Sequence, residues 1–210
     1  MSIHNRGLSK FEDTRSYKET VKFIQDLNMI NLFNGKSKIK NIIEIGAGRG
    51  QITKMLYDDL FNITAVDLNK KELKKLNNYG IKTICHDLNK GCDFGKADLY
   101  LGIAIIEHIY NLEELLKDIR KNCKYFICAV PNEFNLLAKV RYFMEKEGQP
   151  YFIGNHCHRY HEREWEKVFK KYGFKIKHKS YVPLRSIYGI PFKLYPRGFS
   201  REIKYVMEVI

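Results

Sequence analysis

Three glycines and two carboxylates lie at spacings that suit the binding of a nucleotide. An apolar run at 42–45, which includes Glu44, leads into the turn Gly46-Ala47-Gly48-Arg49-Gly50, and a second apolar run ends at Asp67, 21 positions after Gly46. Glycine tolerates positive φ and has no Cβ, so the backbone can approach a ligand closely. A carboxylate about 20 residues after such a turn is suited to accept ribose hydroxyls. The pattern predicts a ligand that contains a nucleoside, bound at the carboxyl end of the first strand.

The turn differs from the fingerprint of dinucleotide-binding proteins. That fingerprint has a small residue at its sixth position, where this chain has Gln51. Glu44 would also add negative charge beside a pyrophosphate, whereas it suits a ligand with a cationic amino-acid end. The run Glu-x-Gly-x-Gly-x-Gly resembles motif I of the class I S-adenosylmethionine-dependent methyltransferases. A nicotinamide or flavin enzyme and a non-catalytic S-adenosylmethionine-binding module are the alternatives.

The resemblance implies S-adenosyl-L-methionine as cofactor and assigns contacts to particular residues. Asp67 would accept both ribose hydroxyls, because a carboxylate offers two acceptor oxygens. Leu68 would lie against adenine, and Asp87 would accept from the adenine amine with Leu88 over the ring. A cap for the following turn is the alternative role of Asp87. The full set of expected cofactor contacts is Glu44, Gly46, Ala47, Gly48, Gly50, Asp67, Leu68, Asp87, Leu88 and Ala104.

The segment 103–109 holds the candidate catalytic residues, Glu107 and His108. It resembles the Glu-His segment that follows the fourth strand in the ubiquinone-biosynthesis-like methyltransferase branch, which mostly alkylates oxygen or carbon of small molecules. Methyl transfer chiefly requires an acceptor held about 3–3.5 Å from the methyl carbon, in line with the departing sulfur. A hydroxyl acceptor also has to lose a proton, and histidine is suited to take it near neutral pH. His108 is therefore the expected general base, with a structural role as the alternative.

Three histidines, His156, His158 and His161, precede a helix that contains Trp165. This run is typical of the loop that enters the corresponding helix in small-molecule methyltransferases. It also resembles the small-RNA 2′-O-methyltransferases, in which glutamate and histidine side chains hold Mg²⁺ on the ribose hydroxyls. That family has a further glutamate where this chain has Ala104, and losing a carboxylate weakens a site for a hard cation. Glu107 and His108 with one or two of His156, His158 and His161 could match such ligands, but the missing carboxylate favours a site without a metal.

The elements that position these residues alternate between strand and helix. Strands are expected at 40–45, 63–67, 81–85, 97–102 and 124–130, with amphipathic helices between them, and Asn69 and Asn111 are expected to cap two of these helices. An N-terminal helix from the capping box at Ser16 to about residue 33, a helix at 162–172 and late strands at 174–182 and 202–210 complete the prediction. The fold class is α/β: a Rossmann-like doubly wound seven-stranded sheet, mostly parallel, with an antiparallel C-terminal hairpin.

We expect residues 1–210 to form a single domain. An N-terminal helical segment at 1–39 would precede a cofactor-binding half at 40–132 and an acceptor-shaping half at 133–210. The sequence contains no membrane span and no N-terminal apolar signal region, which predicts a cytoplasmic protein without integral membrane contact.

The net charge of +13 is concentrated late in the chain, where 139–210 holds sixteen Lys and Arg against seven Glu. Solvated helix faces account for such an excess, and so does an anionic acceptor or RNA. The favoured function is O-methylation of a small acceptor, for which an anionic group is one option. The alternative is metal-assisted 2′-O-methylation of RNA.

Overall fold

Seven strands form one mixed sheet in the order β3-β2-β1-β4-β5-β7-β6. The computed structural model describes residues 20–21, 39–136, 139, 155–183 and 194–210. Strands β1 to β5 pair in parallel, whereas β7 runs antiparallel to both β5 and β6. The strands are β1 (Asn41–Ile45), β2 (Asn62–Asp67), β3 (Lys82–Cys85), β4 (Ala97–Ile103), β5 (Cys123–Pro131), β6 (Phe174–Pro183) and β7 (Ser200–Val209). This confirms the predicted fold class.

The strand order places a topological switch point between β1 and β4, which are neighbours in the sheet but not in the sequence. In open parallel sheets, ligands bind beyond the carboxyl ends of the strands at such a point. Gly46 directly follows β1, and Ala104 directly follows β4. The turn after β1 and the loop after β4 are therefore expected to share a ligand.

Helices cover both faces of the sheet and explain why its central strands are apolar along their length. They are α1 (Gln51–Asp58), α2 (Lys70–Asn78), α3 (Leu112–Asn122) and α4 (Glu162–Lys171). One core cluster packs α1 and α2 on the sheet through residues such as Leu56 and Leu76. The other packs α3 and α4 through residues such as Leu116 and Trp165. Parallel strands buried on both faces read as continuous hydrophobic runs.

The capping predictions had different outcomes. Asn69 caps α2, because its side chain accepts from the backbone N–H groups of Lys71 and Glu72. Asn111 precedes α3 as predicted but makes no side-chain cap, so that prediction is wrong. The Nδ2 group of Asn111 instead donates to the carbonyl of Asn89, 3.4 Å away. His161, which was considered as a metal ligand, forms a capping box with Glu164 at the start of α4.

The observed bounds of the elements agree with the predicted ones to within about two residues. Thr20 and Val21 are helical, and the rest of the predicted N-terminal helix lies outside the described residues. Val21 belongs to the same core cluster as Leu56. Within the described part of the chain, no helix has both the length and the apolar character that a membrane span requires.

Candidate active site

The turn after β1 is built from three glycines with positive φ, at +70° for Gly46, +54° for Gly48 and +70° for Gly50. A Cβ on Gly50 would lie 2.2 Å from the side chain of Leu76, and a Cβ on Gly46 would lie 2.5 Å from that of Ile105. A Cβ on Gly48 would meet no described atom within 4 Å. Two glycines thus permit close packing inside the protein, and Gly48 has no neighbour at its Cβ position among the described residues, so a ligand can approach its backbone.

Asp67 is held by the backbone on both sides of its carboxylate. Its Oδ2 accepts from the N–H of Gly48 at 2.8 Å, and its Oδ1 accepts from the N–H of Asn69 at 2.7 Å. Each carboxylate oxygen can accept a second hydrogen bond. The side chain therefore faces the glycine turn in a fixed orientation with acceptor capacity for two vicinal hydroxyls. Leu68, the next residue, is 66% exposed and offers an apolar face beside them.

Glu44 lies beneath the turn and is buried at 4% exposure. The hydroxyl of Thr53 in α1 donates to its Oε2 at 2.5 Å, which joins β1 to the helix after the turn. Burial raises the pKa of Glu44 to about 7, and the nearby charge of Asp67 adds to the shift, while the Thr53 hydrogen bond opposes it. A cationic group close by would restore the charged form of this carboxylate.

Asp87 and Leu88 follow β3 at the same edge of the sheet. The Oδ1 of Asp87 accepts from the backbone N–H of Asn89 at 3.0 Å and thereby caps the 3₁₀ turn Leu88–Lys90. This hydrogen bond lowers the pKa of Asp87 below its usual value. The capping role is therefore present, and adenine recognition by Asp87 stays a prediction. Leu88 is buried in the core at 6% exposure, whereas Leu68 is 66% exposed, and the contact of either residue with adenine stays a prediction.

The loop after β4 presents Glu107 and His108 on a short 3₁₀ turn, Ile106–His108. Ala104 begins the loop with φ of +52°, and its N–H donates to the carbonyl of Ala129 in β5 at 2.9 Å. Ile105 follows and underlies Gly46, so the loop borders the glycine turn. Glu107 is 1% exposed, and its Oε2 has no hydrogen-bond partner among the described residues. Burial raises the pKa of Glu107 to about 8, and the charges of Glu202 and Glu133 add to the shift.

His108 and His156 face each other beside Glu107, with ring centroids 4.8 Å apart. One ligand atom from each of these three residues lies within 4.8 Å of the others. The Nδ1 of His108 lies 3.1 Å from the carbonyl of Asn155, and the Nδ1 of His156 contacts the Glu133 carboxylate. Carbonyl and carboxylate oxygens only accept, so both Nδ1 atoms carry a proton and Nε2 is the lone-pair nitrogen of each neutral ring.

The other two histidines of the run have different partners. The Nε2 of His158 lies 2.8 Å from the carbonyl of Ile109, and its Nδ1 lies 3.2 Å from the hydroxyl of Tyr160. His161 caps α4 and contacts the guanidinium of Arg197. Burial lowers the pKa of His161, and the charge of Arg197 lowers it further. Of His156, His158 and His161, only His156 lies in the cluster with Glu107 and His108.

Glu133 is the residue at this edge that the sequence analysis missed. It comes two residues after the end of β5, so its position at the carboxyl edge was a usable signal. Its contact with His156 joins residues 23 positions apart, and the sequence between them carries no motif that predicts the pairing. The N–H groups of Cys157 and His158 donate to the carbonyl of Glu107 at 2.8 and 3.1 Å and hold the loop in place.

The amino-acid sequence of the chain is similar to those of known proteins. Residues 15–179 match the family model described as "Methyltransferase domain". Ribosomal RNA small subunit methyltransferase A of Aster yellows witches'-broom phytoplasma (strain AYWB) is 32% identical over 120 residues, which is 55% of this chain and 41% of that protein. The chain thus spans less than half the length of this relative.

Solved structures share the fold at lower identity. A methyltransferase from Clostridium acetobutylicum ATCC 824, described as S-adenosylmethionine-dependent, has a TM-score of 0.64 at 18% identity, covering 92% of both chains. Magnesium protoporphyrin IX methyltransferase from Synechocystis PCC 6803, solved with bound SAH, has a TM-score of 0.66 at 12% identity, covering 98% of this chain and 90% of the other.

Proposed function

The chain belongs to the methyltransferase-domain family as a class I S-adenosylmethionine-dependent enzyme, and from that premise we propose that it methylates a hydroxyl oxygen of a small acceptor. One observation carries the proposal. Glu107, His108 and His156 cluster at the loop after β4, and Ile105 of that loop packs against Gly46 of the glycine turn, where the methyl donor of such an enzyme binds.

The residues around the turn fit S-adenosyl-L-methionine. Gly48 has no described neighbour at its Cβ position, Asp67 offers two oriented carboxylate oxygens for the ribose hydroxyls, and Leu68 offers an apolar surface for adenine. Glu44 and Ala47 then support the turn from below, both being buried. The bound cofactor supplies a methyl group already activated by its sulfonium leaving group. The protein's task is to orient that group and to present the acceptor in line with it.

The acceptor side is formed by the loop after β4. In the proposed reaction the hydroxyl oxygen forms a bond to the methyl carbon while the carbon–sulfur bond breaks, and S-adenosylhomocysteine leaves with the electron pair. The hydroxyl proton has to be removed as the oxygen attacks, and the Nε2 of His108 is the group suited to receive it. Asn155 fixes the ring so that Nε2 carries the lone pair. His108 activates the hydroxyl either as this base or by holding a cation on it.

Charge at the site restricts how an anionic acceptor would bind. The charges of Glu202 and Glu133 are close enough to Glu107 to raise its pKa. A bare anionic group beside these carboxylates would be repelled. An acceptor with a phosphate or carboxylate is therefore proposed to place it away from Glu107, toward basic residues such as Arg159 before α4 and Arg163 in its first turn.

A ribose hydroxyl of RNA is the second candidate acceptor. The relative that is 32% identical over 120 residues is named as a ribosomal RNA methyltransferase, and the basic excess at 139–210 suits a polyanion. A terminal ribose would present its vicinal hydroxyls to the same cluster. This candidate requires phosphate contacts, and it predicts a dependence on salt that a small acceptor does not.

The function is tested by transferring labelled methyl from S-adenosylmethionine onto cell extract separated into RNA, protein, lipid and small-molecule fractions. We expect label in the small-molecule fraction as an alkali-stable methyl ether, with wild type but not with Asp67→Ala. Label in the RNA fraction, stable as 2′-O-methyl ribose, would favour the second candidate. Label on nitrogen in any fraction would contradict O-methylation.

A further inference from the structure

We propose that Glu107, His108 and His156 bind a divalent first-row transition-metal cation, with the acceptor oxygen in an open coordination position. The inference rests on the proposed function only for what occupies that open position. Three protein ligands with vacant positions are typical of catalytic rather than structural metal sites. The residues come from two separate loops that meet at the carboxyl edge of the sheet.

The first observation is the distances among the donor atoms. One atom from each of the three side chains lies within 4.8 Å of the others. The Nε2 of His108 lies 3.9 Å from Oε1 of Glu107, which is too long for a hydrogen bond. Ligands that share one cation do not contact each other directly, because each is about 2.0–2.2 Å from the metal. The spacing is therefore that of groups arranged around a common centre.

The second observation is a buried polar atom that points to a ligand. Glu107 is 1% exposed, and its Oε2 has no hydrogen-bond partner within the described residues. A buried carboxylate without compensation is costly, and pairing with a cation is the usual compensation. A cation held by Glu107 would supply this compensation and leave the carboxylate charged.

The third observation concerns the groups behind the histidines. The Glu133 carboxylate accepts from Nδ1 of His156, and the carbonyl of Asn155 accepts from Nδ1 of His108. Metal-binding histidines almost always donate their other N–H to a carboxylate or a backbone carbonyl, which fixes the tautomer and orients the ring. Both arrangements occur here, side by side. Glu133 acts as a positioning residue for His156.

The donor set selects the kind of cation. Two imidazole nitrogens and one carboxylate suit the first-row transition metals, whereas Mg²⁺ and Ca²⁺ prefer all-oxygen sites. The absence of a carboxylate at Ala104 weakens a hard-cation site but leaves this mixed nitrogen and oxygen set complete. An acceptor hydroxyl in the open position would lose its proton to solvent more readily, because the cation stabilises the resulting oxyanion.

The test uses the full chain without a histidine tag, saturated with S-adenosylhomocysteine and titrated with CoCl₂ under calorimetry and visible absorption. We expect one equivalent of Co²⁺ to bind with the absorption of nitrogen and oxygen ligation, and excess Mg²⁺ to leave it bound. His156→Ala and Glu107→Gln should weaken binding by more than ~100-fold, and Glu133→Gln by about 10–100-fold. His178→Ala removes an exposed histidine of β6 and should leave the affinity unchanged.

Each variant is first shown to be folded by its thermal shift with S-adenosylhomocysteine. His156 lies on a loop, so its truncation tests the site even if Glu107→Gln does not fold. Absence of stoichiometric Co²⁺ binding, or equal affinity in His156→Ala and wild type, would overturn the inference. In that case methyl transfer by the metal-free enzyme would still support the proposed function. Cation binding without any O-methyl product would leave the site standing and contradict the function instead.

Discussion

Asp67 is oriented by the backbone of the two segments it joins. The N–H of Gly48 donates to one of its oxygens and the N–H of Asn69 to the other, and each oxygen keeps acceptor capacity for a ligand. Glu107 differs, because it is buried with an oxygen that has no described hydrogen-bond partner. Asp67 is thus suited to accept hydrogen bonds from neutral hydroxyls, whereas Glu107 is suited to hold a proton or a cation.

Asp67→Ala should weaken the binding of S-adenosylhomocysteine by about 2–4 kcal/mol, because two hydrogen bonds to a charged acceptor are lost. Isothermal titration calorimetry measures the change directly. Asp58→Ala, which removes an exposed carboxylate at the other end of α1, is the matched control and should bind as wild type does. Undiminished affinity in Asp67→Ala would remove Asp67 from the cofactor site.

The free energy of unfolding of Glu44→Gln, relative to that of wild type, should increase as the pH rises. The folded-state pKa of Glu44 is raised to about 7 from 4.5, so the folded protein holds a proton that the unfolded chain releases. The corresponding stability is present below about pH 4.5 and is lost as the pH rises through about 7, with a full effect on the order of 3 kcal/mol. Urea unfolding of both proteins without ligand between pH 5 and pH 8 measures it. A difference in unfolding free energy that stays constant with pH would contradict the assignment.

At the scale of elements, the turn between β1 and α1 divides its glycines between packing and ligand access. Gly50 packs against Leu76 of α2, and Gly46 packs against Ile105 of the loop after β4. Gly48 has no described neighbour at its Cβ position, although its φ of +54° lies in the left-handed region. The same residue type therefore serves two different purposes within five positions.

Gly48→Ala and Gly50→Ala form a matched pair that separates these purposes. Gly50→Ala should lower the melting temperature strongly, because its Cβ would overlap Leu76 at 2.2 Å in addition to the strain of a positive φ. Gly48→Ala should cost only about 1 kcal/mol of stability, since its Cβ meets no described atom. It should nevertheless bind S-adenosylhomocysteine at least ten times more weakly. Normal binding by a folded Gly48→Ala would show that the ligand does not approach this position.

The elements, the glycine turn and the position of Asp67 beside it could be predicted from sequence because their signals are local. Buried parallel strands are continuous apolar runs, and the turn and Asp67 have a fixed spacing. The cap at Asn111 was mispredicted because that residue has φ −90° and ψ 55° and directs its side chain to Asn89. The pairing of Glu133 with His156 could not be predicted, because the two residues are 23 positions apart and no sequence motif connects them.

At the scale of the whole molecule, the positive charge of the later part is partly compensated by nearby carboxylates. Lys179 pairs with Glu162 and Glu166, and Arg197 pairs with Glu162 at 2.7 Å. Lys177 and Arg201 likewise contact Glu208 and Glu202. Cations in such contacts are less available to bind phosphates, and this favours a small acceptor over a polyanion.

Acceptor binding should therefore depend only weakly on salt. Each phosphate contact to a single-stranded nucleic acid contributes ~0.7 log units of affinity per log unit of salt. We expect the KM of the labelled acceptor to change no more steeply than about two such contacts require between low and physiological salt. A slope that corresponds to several phosphates would support RNA as the acceptor.

The most direct test of the central claim, that the loop after β4 activates the acceptor beside the cofactor, is the turnover of His108→Ala. The measurement is kcat at saturating S-adenosylmethionine with the acceptor fraction that wild type labels. The account predicts a decrease in kcat of ~10²–10⁴ with nearly unchanged affinity for S-adenosylhomocysteine, and normal kcat for His178→Ala. A His108→Ala enzyme that melts at a lower temperature but turns over at the wild-type rate would contradict the account and assign His108 a structural role.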